Sequence, residues 1–140
     1  MRYLLDTNTW IDYLKRPGSL VEARLRQTRA DDVAVCSVVC AELLHGARKY
    51  EKRDERVARV ERTLAPFRSL PFDDAAARRY AEIRDSLEAR GEVIGPNDLL
   101  IAAIALTHGL TLVTNNREFN RVPGLTVEDW TADQPGQAGR

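Results

Sequence analysis

Every residue in the run 99–106, LLIAAIAL, is apolar. Gly95 and Pro96 stand just ahead of the run and Gly109 just after it, so a helix start and a C-cap frame it. A helix that is apolar all round cannot lie on a surface. It has to be covered on most sides, which makes it the central helix of a layered domain. Residues 110–113 follow at once as a short apolar run of strand length, so the central helix hands over directly to a buried strand.

The same alternation runs through the chain. Tyr3, Leu4 and Leu5 form a short apolar strand that Asp6 ends, and Thr7 and Asn8 start a helix with Trp10, Ile11 and Leu14 at helical spacing. A second helix is expected over 20–28, with Leu20, Val21 and Leu25 as its buried stripe. Asp31 and Asp32 turn the chain into a second strand at Val33, Ala34 and Val35. Ser37 is placed to cap a long helix over 38–50, with Val39, Leu43, Ala47 and Tyr50 on one face. A partly exposed helix follows, with Val57, Val60 and Leu64 as a thin stripe. Pro66 and Pro71 bracket a third strand at 67–70. Asp73 and Asp74 begin a helix with a core face of Ala76, Tyr80, Ile83 and Leu87, ended by Gly91, and a last edge strand falls at 125–127. Strands alternating with helices imply parallel pairing, because parallel strands need crossover connections. The expected fold is therefore α/β, three layers, with a mostly parallel central sheet of four to five short strands. One domain spans 1–130, and a disordered tail covers 131–140.

The 140 residues carry 21 Lys plus Arg against 21 Asp plus Glu. With no bulk field to attract a polyanion, any nucleic-acid contact must come from a local basic patch. The segment 48–62 is the densest one, and Arg117 and Arg121 are further candidates. No secretory pattern and no apolar stretch of membrane-spanning length occurs, so a cytoplasmic location is expected. Cys36 and Cys40, with His45 and His108 elsewhere, match no zinc spacing and read as reduced thiols.

Three acids occupy notable places. Asp6 ends the first strand, Glu42 lies in the second turn of its helix at the edge of the apolar stripe, and Asp98 sits in the first turn of the central helix. Each has a structural alternative. Asp6 can cap a helix, Glu42 can be a surface residue, and Asp98 is favoured by the helix dipole. Yet helix 99–106 begins at a depth where a carboxylate is costly unless something compensates it. If the three converge within about 4 Å, each pair repels by about 4 kcal/mol at an effective dielectric near 20, and the cluster needs a cation. With oxygen donors alone, the suitable ions are Mg2+ or Mn2+, and the chemistry indicated is phosphodiester hydrolysis.

The motifs LLDTNTWIDYL, AELLHGA, GPNDLLIAAIA and LVTNNREFNRVPGLTVEDW, in this order and near these separations, resemble those of the PIN-domain ribonucleases, most closely the VapC toxins of toxin-antitoxin pairs. The resemblance runs from the first residues to Trp130. It implies a Mg2+- or Mn2+-dependent endoribonuclease, a homodimer, an RNA substrate such as tRNA, and a VapB-type antitoxin that occupies the active-site groove. The family's acids fall on Asp6, Glu42 and Asp98, and Asn8 and Thr114 match polar positions that orient the site. In the mechanism so implied, Asp6 and Asp98 hold the metal most directly, Glu42 binds it or acts as base, and Asn116 orients the attacking water. Many members carry a fourth acid where this chain has Asn116. An amide adds no charge there, which puts a second metal position in question, and Glu118 is a partial substitute. Asn116 also leaves open a second reading, a PIN-like module that has lost turnover and works by binding RNA or a partner. A haloacid dehalogenase would need a second Asp where Asn8 stands, and a receiver domain would need a Lys near 114–116; neither pattern is met.

Overall fold

The computed structural model describes residues 1–132; the expected tail, apart from its first two residues, lies outside the described residues. Strands β1 (Tyr3–Leu5), β2 (Val33–Cys36), β3 (Arg68–Leu70), β4 (Thr111–Val113) and β5 (Val127–Glu128) form one sheet. Their order is β3-β2-β1-β4-β5, and every neighbouring pair is parallel. Leu4 pairs with Ala34 on one side and Leu112 on the other, so β1 is central. β1 and β2 are buried at every residue, which is why they read as unbroken apolar runs. The edge strand β3 exposes Arg68 and Ser69, polar groups that discourage pairing with another chain.

Among the described residues six helices cover the sheet: α1 (Thr7–Lys15), α2 (Leu20–Gln27), α3 (Ser37–Ala47), α4 (Arg53–Leu64), α5 (Asp74–Ala89) and α6 (Pro96–Thr107). Right-handed crossovers from β1 through β2 to β3 put α1–α4 on one face. The return from β3 to β4 puts α5 and α6 on the other. Within each face α1 packs against α2 and α3, α3 against α4, and α5 against α6, while α3 also meets α6 across the division. In α6, Leu99 and every residue from Ile101 to Ala105 are buried, as an all-apolar helix requires. Trp10, fully buried, packs on Tyr13 and Phe67, while Trp130 closes the other end of the core against Tyr3.

Several local expectations need correction. Leu20 is 44% exposed because it is the first residue after the Ser19 cap, whose hydroxyl takes the Glu22 N–H. Ser37 lies inside α3 and does not cap it. Cys36 holds the cap position, and the Ser37 hydroxyl instead accepts from the Phe72 N–H at 3.3 Å. α3 stops at Ala47, three residues early, since the chain turns through Lys52 in a left-handed conformation (φ 59°) to start α4. Tyr50 is thereby freed from the core face and is 63% exposed. The last strand is Val127–Glu128, because the Pro123–Gly124 turn, with Gly124 at φ 78°, leaves Leu125 as a half-buried connection packed on the core.

The strand order reverses between β1 and β4. In a parallel sheet the crevice at that switch, outside the carboxyl ends, is where ligands bind.

Candidate active site

Asp6 leaves β1 directly into that crevice. Its backbone N–H donates to the Val113 carbonyl at 3.0 Å, tying it to the end of β4. One carboxyl oxygen, Oδ1, accepts the Thr9 N–H at 2.9 Å and so caps α1, while Oδ2 accepts from the Thr114 hydroxyl. The side chain is 4% exposed. Burial raises its pKa above the ordinary carboxylate range, the bonds from Thr114 and Thr9 pull it back, and the Glu42 charge pushes it up again.

Glu42 reaches the crevice from α3. Thr7 donates to its Oε1 at 2.6 Å and Asn97 to its Oε2 at 3.4 Å. Asp98 enters from the first turn of α6, half-buried. Its carboxyl is pushed up to about 6, first by burial and then by the charges of Glu42, Asp6 and Glu118. Thr7, next to Asp6, and Asn97, next to Asp98, both bond to Glu42 and so bring the three acids to one rim. Asn116 joins them: its N–H donates to the Thr114 hydroxyl at 3.0 Å, and its Nδ2 to Asp98 Oδ2 at 3.3 Å. Its Oδ1 accepts the Glu118 N–H at 3.0 Å, which caps the 3-10 turn Arg117–Arg121. An unbroken hydrogen-bonded path therefore runs from Asp6 through Thr114 and Asn116 to Asp98, and Glu42 is held by the neighbours of the other two acids.

Among the described residues no Lys, Arg or His lies within ion-pair distance of Asp6, Glu42 or Asp98. Nor do any three His, Cys, Asp or Glu side chains among them stand close enough, as they are, to enclose an ion. The donor set nevertheless fits Mg2+ or Mn2+. These are hard cations taken by one or two carboxylates with water in the remaining positions, so no full protein cage is needed.

Of the residues singled out from sequence, Asp6, Glu42, Asp98, Asn116, Thr114 and Glu118 share this space. Asn8 is exposed and makes no hydrogen bond to the acids among the described residues. The orienting task falls to Thr7 and Thr9 on either side of it, and to Asn97. Alternate positions around Asp6 carried the signal: in a helix start, residues one and three after the cap both face back toward the strand end.

The PIN domain family matches residues 3–125, a span that includes four of the five strands and all six helices. That match spans most of the chain, and this chain belongs to the PIN-domain family. Within it, the chain is similar to VapC ribonucleases. Ribonuclease VapC2 of Rickettsia felis is 36% identical over 132 residues, covering 93% of this chain and 98% of that protein. The tRNA(fMet)-specific endonuclease VapC of Salmonella typhimurium is 35% identical over 131 residues, with the same two coverages. The crystal structure of DNA-bound VapBC from Salmonella typhimurium superposes with a TM-score of 0.88 at 35% identity, over 93% of this chain and 98% of that one. Among the described residues no helix is long and apolar enough to cross a membrane.

Proposed function

We propose that this chain is the toxin of a VapBC-type toxin-antitoxin pair, an endoribonuclease in which Asp6 and Asp98 hold Mg2+ or Mn2+ most directly and Glu42 binds it or acts as base. The observation that carries the reading is a group of carboxylates at the switch crevice, one nearly fully buried, with no cationic side chain among the described residues within ion-pair distance of them. Acids in that state ionise together readily only when a cation joins them. When bound, such an ion would supply the polarisation of a phosphoryl oxygen and the activation of water that hydrolysis of a phosphodiester needs.

The chain's own residues prepare the site. Thr9 and Thr114 hold both oxygens of Asp6, so this acid needs no reorganisation on binding. Asn97 holds Glu42 Oε2 only loosely, at 3.4 Å, which leaves that oxygen available to take a proton from the attacking water. Asn116 directs its amide N–H at Asp98 and acts on the metal-binding acid, a positioning residue whose reach to the water itself is limited by the Glu118 N–H it already accepts. The Salmonella typhimurium relative is named for tRNA(fMet), which is the first RNA to try, and a VapB-type antitoxin is the partner expected.

The test is cleavage of tRNA(fMet) with Mn2+ and with EDTA. Cleavage is expected only with the ion, and not from Asp98→Asn. Cleavage by Asp98→Asn at the wild-type rate would overturn the site. RNA and Mn2+ binding without any cleavage would favour the binding module that Asn116 leaves open.

A further inference from the structure

A groove of about 280 Å3 opens beside Glu42, between α1, α3 and α4. Ile11, Leu43 and Val60 are part of its floor. Lys15, Lys49, Arg56 and Arg59 stand on its rim, all exposed. None of the four makes an ion pair among the described residues, whereas eight other arginines of the chain do. Among the described residues the only acid lining the groove is Glu42. A surface that leaves four cations unneutralised around one concavity is complementary to a polyanion.

Two further details narrow the class. Tyr50, 63% exposed, stands in the wall with the Arg56 guanidinium over its ring at 5.4 Å. Arg56 is fixed there by its Nε donating to the Glu51 carbonyl at 3.0 Å, and Arg59 by donating to the Leu14 carbonyl at 2.6 Å. Each guanidinium keeps other N–H donors free. Flat, exposed rings beside fixed cations are how proteins hold unstacked bases of single-stranded RNA. The groove also shares Glu42 with the acid cluster, so a chain cut there has to run past or through it. Its volume is near the lower limit of small-ligand sites, room for one nucleotide.

We infer that this groove is the subsite for the nucleotide next to the scissile phosphate, with the base against Tyr50 and Arg56 and its phosphate on Lys49, Lys15 and Arg59. The inference rests on the ribonuclease reading above and adds to it the residues that grip the substrate. These residues bind ground state and transition state alike, so they govern KM and not kcat.

The experiment measures binding of a short fluorescein-labelled single-stranded oligoribonucleotide by anisotropy in EDTA, with tRNA cleavage in Mn2+ followed in parallel. Tyr50→Ala is expected to weaken binding about tenfold and Tyr50→Phe to restore it. Lys49→Gln and Lys15→Gln are each expected to flatten the slope of log Kd against log salt by about 0.7, the loss of one phosphate contact. In cleavage, KM rises and kcat holds, and melting temperatures stay unchanged because the substituted groups are exposed. A wild type that cuts RNA, with variants of unchanged affinity and salt slope, overturns the inference alone. If those variants instead fail to co-purify with a co-expressed VapB-type antitoxin, the groove belongs to the protein partner and the inference is also overturned. A wild type that neither binds nor cuts RNA removes the ribonuclease reading and this subsite together.

Discussion

Replacing Asp98 by Asn should make the metal-free protein more stable. A carboxyl moved from 3.8 to about 6 in the folded state binds more protons there than in the unfolded chain between those pH values. Stability present at pH 4 is therefore lost as pH rises through about 6. At about 1.4 kcal/mol for each pH unit the full effect is about 3 kcal/mol, but Asp98 is half-exposed and water at its open side reduces this to about 1 kcal/mol. Asparagine carries no charge and its oxygen still accepts from Asn116, so the variant escapes that loss. For a domain of this size its melting temperature in EDTA at pH 7.5 should lie about 3 °C above wild type, with no difference at pH 4. Mn2+ should reverse the order. At about a hundred times its Kd the ion adds about 2.7 kcal/mol to the wild type and little to the variant. Scanning calorimetry at both pH values, with and without Mn2+, reads all four conditions. A variant that melts below wild type in EDTA at pH 7.5, or that gains as much from Mn2+, would refute the reasoning.

Thr114→Val keeps the shape of the side chain but removes the hydroxyl that donates to buried Asp6 and accepts from Asn116. Loss of a bond to a charged group costs about 1.5–3 kcal/mol, a fall of about 8 °C at pH 7.5 in a thermal melt. Burial pushes the Cys36 thiol up to about 11, so at pH 8 a disulfide reagent should titrate at most Cys40 in the folded protein and both thiols in denaturant. Trp130→Ala removes a buried ring that packs on Tyr3 and lies under the Arg24 guanidinium, and should cost about 3–5 kcal/mol by denaturant titration.

The sheet was legible because its central strands are buried on both faces and therefore written as short unbroken apolar runs, each followed by polar cap residues. Asp6 and Asp98 were legible by position: one stands where a strand ends, the other where a helix starts. What sequence could not supply was phase and closure. Helical spacing in 38–50 runs on smoothly through Tyr50, yet α3 ends at Ala47, because the stop is set by Lys52 in a left-handed turn that no glycine announces. Glu42 falls at the border of its helix's apolar stripe, where periodicity cannot decide between surface and site. The deciding contact is Thr7, 35 residues away. Asn8, assigned to the site by resemblance, faces outward since a helix start turns its first and third residues inward and its second out.

The two roles that the sequence leaves open for Asp6, helix cap and reactive acid, are compatible because a carboxylate has two oxygens and can accept at both. That double use predicts a contrast between the two aspartates. Asp98 accepts one amide bond, and an asparagine there keeps it. Asp6 accepts from Thr9 on one side and from Thr114 on the other, both in a buried setting. An asparagine at position 6 can offer an oxygen to only one of them and turns an N–H toward the other. If the oxygen stays on Thr9, the Thr114 hydroxyl, already accepting from Asn116, is left with a buried hydrogen and no acceptor, at a cost of about 1–3 kcal/mol. This offsets whatever is gained by removing a desolvated charge. Asp6→Asn should therefore melt at or below wild type in EDTA at pH 7.5, about 3 °C or more beneath Asp98→Asn. Were Asp6→Asn the more stable of the two, Asp6 would be held by burial alone and its bonds to Thr9 and Thr114 would contribute nothing.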